Sequence, residues 1–278
     1  MLTALRASVA SQARPGARNE DFALAADDVA VLLDGAGLPA ALDTGCVHGV
    51  PWFVRTLGTA LHRRAVDRRT GLRECLAAAI RQTARTHAAT CDLGSPFTPS
   101  ATVTVARAAA DRLEWVVLAD STLALRLATG VRTVADHRVS EVTTAQHRAM
   151  AGELASLSPG ERAIASARAQ RPTMNTATGY WAAAADPEAA REALVGAVPL
   201  GEVRAAALLS DGAARAADDF GVLSWTGLLT GLERHGPRHL IARTRELELT
   251  DPECRRWPRA KCHDDATAVL LVPRSTAG

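Results

Sequence analysis

Lysine is nearly missing from this chain: Lys261 stands alone among 32 Lys and Arg residues, so almost all the basic charge is arginine. Against 30 acidic residues the net charge is +2, too little for a broad basic field, which excludes a general nucleic-acid or membrane-surface role. Cysteine is sparse and badly spaced. Cys46, Cys75, Cys91, Cys254 and Cys262 form no CxxC and leave one over, excluding a zinc ribbon or disulfide framework and fitting reduced thiols in cytoplasm. No run approaches the roughly 18 apolar residues of a membrane span, and Met1 to Gly16 lacks the apolar core of a signal peptide. No GxGxxG or Walker-type GxxxxGK occurs, so a doubly wound nucleotide fold is not expected.

What is present is enough apolar material for a sizeable core, 47% of 278 residues. No repeat and no linker divides it. One domain over residues 1–278 is expected, monomeric and cytoplasmic, with a polar, Ala- and Arg-rich surface excursion over about 136–181.

The informative stretch is Val29 to Gly37, VAVLLDGAG, an apolar run that stops at Asp34-Gly35. By itself it reads either as a tight turn or as a buried strand delivering a carboxylate to its exposed end. Similar sentences recur. Leu113 to Asp120 is LEWVVLAD, Ala205 to Gly212 is AAALLSDG, and Asp264-Asp265 stands just before ATAVLLV. The polar cluster Arg18-Asn19-Glu20-Asp21 lies one hairpin ahead of Asp34, and Leu5 to Val9 can form a first strand.

Between these aspartates the pattern alternates in period. Phe53 to Val66 and a stretch after Thr70, its expected N-cap, up to His87 carry apolar residues at helical spacing, with His62 and His87 assigned to the surface. Ser100–Ala106, Trp115–Ala119 and Thr122–Ala128 read as three successive strands on short turns, hence antiparallel pairing. Thr173–Trp181 reads as a further strand, and Asp186-Pro187-Glu188 as a helix start running to Val195. Ser224 and Pro237 open two more helices, and Ala266–Val272 closes the chain as a strand. Cys46 and His48 have no partner at metal-ligand spacing and read as incidental.

If the strand ends meet, carboxylates crowded within a few ångströms must either take up protons or bind a cation. Oxygen donors suit Mg²⁺ or Mn²⁺ rather than zinc, and two such ions make a phosphate-hydrolysing arrangement.

The ordered set RNEDF (18–22), VLLDGAG (31–37), PSATV (99–103), LADS (118–121), LLSDG (208–212) and DDAT (264–267) resembles the PPM-type (type 2C) metal-dependent serine/threonine protein phosphatases. The resemblance implies an α+β fold: a sandwich of two antiparallel sheets flanked by helix layers, αββα. It implies two Mn²⁺ or Mg²⁺ ions and a weaker third, and hydrolysis of phosphoserine or phosphothreonine in a phosphoprotein by a metal-bridging hydroxide. The implied ligands are Glu20, Asp34, the Gly35 carbonyl, Asp120, Asp211 and Asp264, with Asp34, Asp211 and Asp264 catalytic and Asp265 in a position where the family often has Asn. Where many members have a phosphate-binding arginine this chain has Gly16, leaving the flanking Arg14 and Arg18 for the role. Ala36 replaces a residue that in some members donates a proton, leaving water or His48. These departures keep open a second reading, a pseudophosphatase that binds phosphoproteins without turnover. An α/β phosphatase with Asp34 as nucleophile is opposed by the strands at 100–128 and by Ala36, where that class places a second Asp.

Overall fold

The structure, a computed structural model, describes residues 5–259 and 261–274. In chain order the elements are β1 (Leu5–Gln12), β2 (Phe22–Ala26), β3 (Val29–Gly35), α1 (Val50–Ala65), α2 (Leu72–His87), β4 (Ala101–Ala109), β5 (Arg112–Leu118), β6 (Thr122–Leu127) and β7 (Gly130–Val134). There follow α3 (Arg138–Ala149), α4 (Ala151–Ala155), α5 (Pro159–Gln170), β8 (Leu194–Pro199), β9 (Val203–Leu209), α6 (Asp211–Ala214), α7 (Trp225–His235), α8 (Pro237–Leu249) and β10 (Ala266–Pro273). The strands form two five-stranded antiparallel sheets, ordered β1-β10-β9-β6-β7 and β2-β3-β4-β5-β8.

Side-chain alternation explains how the sheets stack. On β3, Val29, Val31 and Leu33 pack with Phe53, Leu57 and Leu61 of α1, whereas Ala30 and Leu32 face the other sheet through Leu123, Leu208 and Val269. On the far side Leu209, Ala268 and Leu270 bury against Leu228, Leu229 and Ile241 of α7 and α8. The layers are therefore helix, sheet, sheet, helix, as expected. Two caps foreseen in the sequence are made: Ser224 Oγ accepts the Gly227 N–H at 3.1 Å, and Asp186 Oδ1 accepts the Glu188 N–H at 2.9 Å. The β2–β3 turn is a two-residue hairpin with Asp27 and Asp28 both at positive φ, 52° and 59°, the hand that matches strand twist.

Several expectations need correction. The strands at 100–128 do not share one sheet: β4 and β5 pair, but β6 joins β7 and β9 across the sandwich. The switch is made at Ala119-Asp120-Ser121, where Ala119 takes φ 67°. A Cβ in that left-handed region costs on the order of 1–2 kcal/mol, partly offset by the freedom glycine loses on folding. Ala119→Gly should therefore stabilise the protein by roughly 0.5–1 kcal/mol, read as a small rise in thermal midpoint.

Thr173–Trp181 is no strand; it has a single isolated bridge, Met174 to Tyr180. The helix at Pro187 is a short 3-10 turn ending at Glu192, after which Leu194–Pro199 is strand β8. Gly71, not Thr70, precedes α2, and Thr70 makes no cap bond. His62 and His87 are buried at 6% and 2% exposure, because each lies on the inner face of its helix; His62 Nε2 lies 3.1 Å from the Ala26 carbonyl. Cys46 and His48 are not isolated, since folding brings the 36–49 loop against the end of α2 and places His87 and Cys91 beside them. Cys254 and Cys262 also meet, their sulfurs 2.6 Å apart, though unbonded.

Candidate metal centre

The strand ends carrying acids converge because of register. Gly35 pairs with Ala101, so the end of β3 lies beside the start of β4; Leu209 pairs with Thr122 and Ala268, placing the end of β9 beside the starts of β6 and β10. Asp34 follows the alternation of Ala30 and Leu32 and so faces inward between the sheets, one step past their shared core. There it meets Asp211, whose backbone N–H donates to Asp34 Oδ2 at 3.2 Å. Gly35 is held by its N–H on the Glu20 carbonyl at 3.1 Å, and a Cβ on it would run into that carbonyl and the Val50 side chain.

The acids act on one another's charge. Burial pushes the Asp34 carboxyl well up, and Asp211, Asp21, Asp264 and Asp120 push it further. Burial raises Asp120 to about 7, with Asp211 and Asp136 adding to the shift. Asp211 is likewise raised, first by burial and then by Asp264, against the pull of Arg215 and Lys261, although the residue as a whole is exposed. Asp21 lies at the back, 9% exposed and raised to about 7 by burial. Neither of its carboxyl oxygens has a hydrogen-bond partner among the described residues; nearby, Ser210 Oγ accepts the Thr267 N–H at 2.9 Å and the Thr267 hydroxyl lies 2.7 Å from Ser11 Oγ. Glu20 is raised by burial, and Arg14 and Lys261 oppose the rise.

The remaining sequence candidates separate clearly. Arg14 stands at the cluster, Nη1 3.4 Å from Glu20 Oε2 and 3.9 Å from Asp265 Oδ2, whereas Arg18 is exposed and makes no ion pair among the described residues. Asp265 is consumed by the backbone: its oxygens accept the Arg14 and Glu20 N–H groups, both at 2.8 Å, and so close the loop that carries Glu20. His48 is no candidate proton donor here, because its ring stacks on Trp52 at 4.3 Å and its Nδ1 faces Cys91 Sγ at 3.3 Å.

Four groups near the site, Lys261, Arg215, Glu248 and Arg171, were not among the candidates expected from the sequence. Lys261 Nζ lies 3.0 Å from Asp264 Oδ1, its charge sustained against burial by Asp264, Asp211 and Asp34. Arg215 reaches the other Asp264 oxygen at 3.3 Å and is itself fixed by Glu248 at 2.7 Å, a carboxylate with 0% exposure that also takes Arg245 and His263. Arg171, buried with no carboxylate partner among the described residues, donates to the Ala36 carbonyl at 2.9 Å and to Ser100 Oγ at 2.7 Å, pinning the loop after Asp34. Only Glu248 left a trace in the sequence: it falls on the apolar face of α8 with Ile241 and Thr244, where an acid needs a partner.

Do these residues fit divalent ions? The donors are carboxylate oxygens, which suit Mg²⁺ and Mn²⁺. Among the described residues Asp21 keeps two unsatisfied buried oxygens, several carboxyls are driven toward protonation first by burial and then by one another, and the sole lysine already places an ammonium among them. The site fits cations. A groove of about 550 Å³ between residues 93–98 and 171–187 lies to one side, lined by Arg171 but by none of these acids.

Two face-to-face antiparallel sheets wrapped by helix pairs, with acids gathered where the strand ends meet, define the class of αββα sandwiches built around an acidic centre. The family model for protein phosphatase 2C matches residues 10–234, and the chain belongs to that family. No curated protein sequence matches the chain significantly. Among solved structures it is similar to the Mycobacterium tuberculosis serine/threonine phosphatase PstP/Ppp at 18% identity and TM-score 0.60, covering 97% of this chain and 99% of that one. Staphylococcus aureus Stp1 matches at 15% identity and TM-score 0.60, covering 98% and 96%. The PstP catalytic domain in complex with two manganese ions matches at 18% identity and TM-score 0.56, covering 96% and 97%. These likenesses confirm the fold.

Proposed function

We propose that the protein is a metal-dependent phosphomonoester hydrolase acting on phosphoserine or phosphothreonine in proteins, working as one domain. The observation that carries this reading is the convergence of Asp211, Asp264, Asp120 and Asp21, from separate strand ends, on the buried Asp34 carboxyl. Asp34, Asp211 and Asp264 would hold two Mn²⁺ or Mg²⁺ ions, with Glu20 and the Gly35 carbonyl at one side and Asp120 serving a weaker third. Bound there, the ions supply charge neutralisation for a phosphate and lower the pKa of water.

The chain's own groups do the rest. Glu248 and Arg215 fix the Asp264 carboxylate, and Asp265 shapes the loop that presents Glu20 and Arg14. Arg14 is the phosphate-orienting cation: its guanidinium already sits at the acidic mouth and exchanges Glu20 for a phosphate oxygen. Ala36 offers no proton and His48 is engaged elsewhere, so the leaving group is protonated by water. Arg14→Ala should raise KM for a phosphoserine peptide by roughly 10-fold or more while Arg18→Ala changes it less than about twofold; equal effects would remove Arg14 from the role.

A second reading has one observation in its favour. Lys261 and Arg215 together occupy both oxygens of Asp264, as they would in a phosphoprotein-binding module that no longer takes up metal. Calorimetry with Mn²⁺ and a phosphopeptide, run beside a phosphate-release assay, separates the two. Hydrolysis that requires Mn²⁺ supports the enzyme; tight peptide binding without release supports the module.

A further inference from the structure

Away from the acidic centre, the loop after β3 and the end of α2 bring together two cysteines and two histidines that are far apart in sequence. Cys46 Sγ lies 3.3 Å from Cys91 Sγ, 3.9 Å from His48 Nδ1 and 3.7 Å from His87 Nδ1, and His48 Nδ1 lies 3.3 Å from Cys91 Sγ. One donor atom from each of the four residues falls within 4.8 Å of all the others.

We propose that Cys46, His48, His87 and Cys91 form a four-coordinate structural zinc site. Zinc takes thiolates at about 2.3 Å and imidazole nitrogens at about 2.0–2.1 Å, so neighbouring ligands on a tetrahedron stand roughly 3.3–3.8 Å apart, close to the separations seen. The donor set is the soft and borderline one that zinc prefers, in contrast to the all-oxygen set of the acidic centre. Four protein ligands leave no position for a substrate, which makes the site a clip rather than a catalyst.

His87 supplies an independent reason. The residue is 2% exposed, and among the described residues its Nε2 has no hydrogen-bond partner and its Nδ1 meets only sulfur. A buried imidazole with no ordinary partner at either nitrogen is costly, and a metal at Nδ1 gives it a strong one. Trp52 closes the site on one side, stacked on His48 at 4.3 Å and 5.0 Å from the His87 ring. The surroundings are also laced for rigidity, since Asp92 N–H donates to the Gly45 carbonyl at 2.8 Å and Gly45 sits at φ 68°. The clip would thus fasten the loop leaving Asp34-Gly35 to the segment that leads from α2 into β4, both of which border the candidate metal centre. Zinc binding displaces the two thiol protons, so the cysteines must be reduced when the metal arrives.

The test is metal analysis of the full chain purified under reducing, oxygen-free conditions and passed over a weak chelator. The expected result is about one zinc per chain. It should be lost in Cys46→Ser and Cys91→Ser but retained in Cys254→Ser and in Asp34→Asn, which separates this site from the acidic centre. Replacement of the zinc by Co²⁺ in the wild-type protein should give the visible absorption and thiolate charge-transfer bands of a tetrahedral sulfur site and quench Trp52 fluorescence. That measurement stands even if a cysteine variant fails to fold. No retained zinc together with a Co²⁺ spectrum lacking thiolate bands, or a Cys46–Cys91 disulfide in protein kept reduced, would overturn the proposal.

Discussion

Asp34→Asn should cut Mn²⁺-dependent phosphatase turnover by about 10³-fold or more while making the metal-free protein more heat-stable. The two effects share one cause. Asn is nearly isosteric and can still accept the Asp211 N–H, so the local backbone has no reason to move. It carries no charge, however, and removes the group most pressed by its acidic neighbours, Asp211, Asp21, Asp264 and Asp120. A residue kept for the fold would lower stability when replaced; one kept for a cation lowers activity and raises apo stability. Asp211→Asn should behave alike. Thermal melts without metal and phosphate release with Mn²⁺ read both sides, and a destabilised variant with undiminished turnover would remove Asp34 from the centre.

The second large effect is on pH. Asp21 and Asp120 titrate near 7 in the folded protein against an ordinary value of 3.8, and Asp34 and Asp211 are raised too. Between roughly pH 4 and pH 7 the folded state therefore holds more protons than the unfolded chain, so stability falls as pH rises. The stabilisation from these protonated carboxyls is complete below the ordinary value and is lost as pH climbs through about 7. Asp251, whose carboxylate is lowered by backbone N–H groups and Arg259, acts in the opposite sense but only in acid, below this window. Metal-free protein should melt on the order of 5–10 °C lower at pH 8 than at pH 5. Mn²⁺ should reverse this, because it competes with the same protons, and its stabilising shift should be larger at pH 8. A metal-free melt that rises between pH 5 and pH 8 would show that the acids are not crowded as described.

These outcomes depend on features of unequal visibility in the sequence. The strand-then-acid sentences at Asp34, Asp120, Asp211 and Asp264 were legible because a continuous apolar run and an abrupt change to Asp are local signals. The helices at 53–66, 225–235 and 237–249 were legible from apolar spacing and caps. What stayed hidden is set by long-range pairing. Nothing local at Ala119-Asp120-Ser121 tells that the chain leaves one sheet for the other, and β8, with Val195 exposed and Gly196 against Trp115, has a weak strand pattern. Cys46 and Cys91 lie 45 residues apart and become neighbours only when α2 packs along α1. Lys261 and Arg215 are ordinary surface residues by composition, and only the fold turns them onto Asp264.

The central claim is that this acidic end is a divalent-cation centre, and a crystal of the full chain soaked in Mn²⁺ tests it most directly through anomalous scattering. The expected result is two strong peaks among Asp34, Asp211 and Asp264, with Lys261 displaced from Asp264. Saturating Mn²⁺ with no peak there, and Lys261 still on the Asp264 carboxylate, would contradict it.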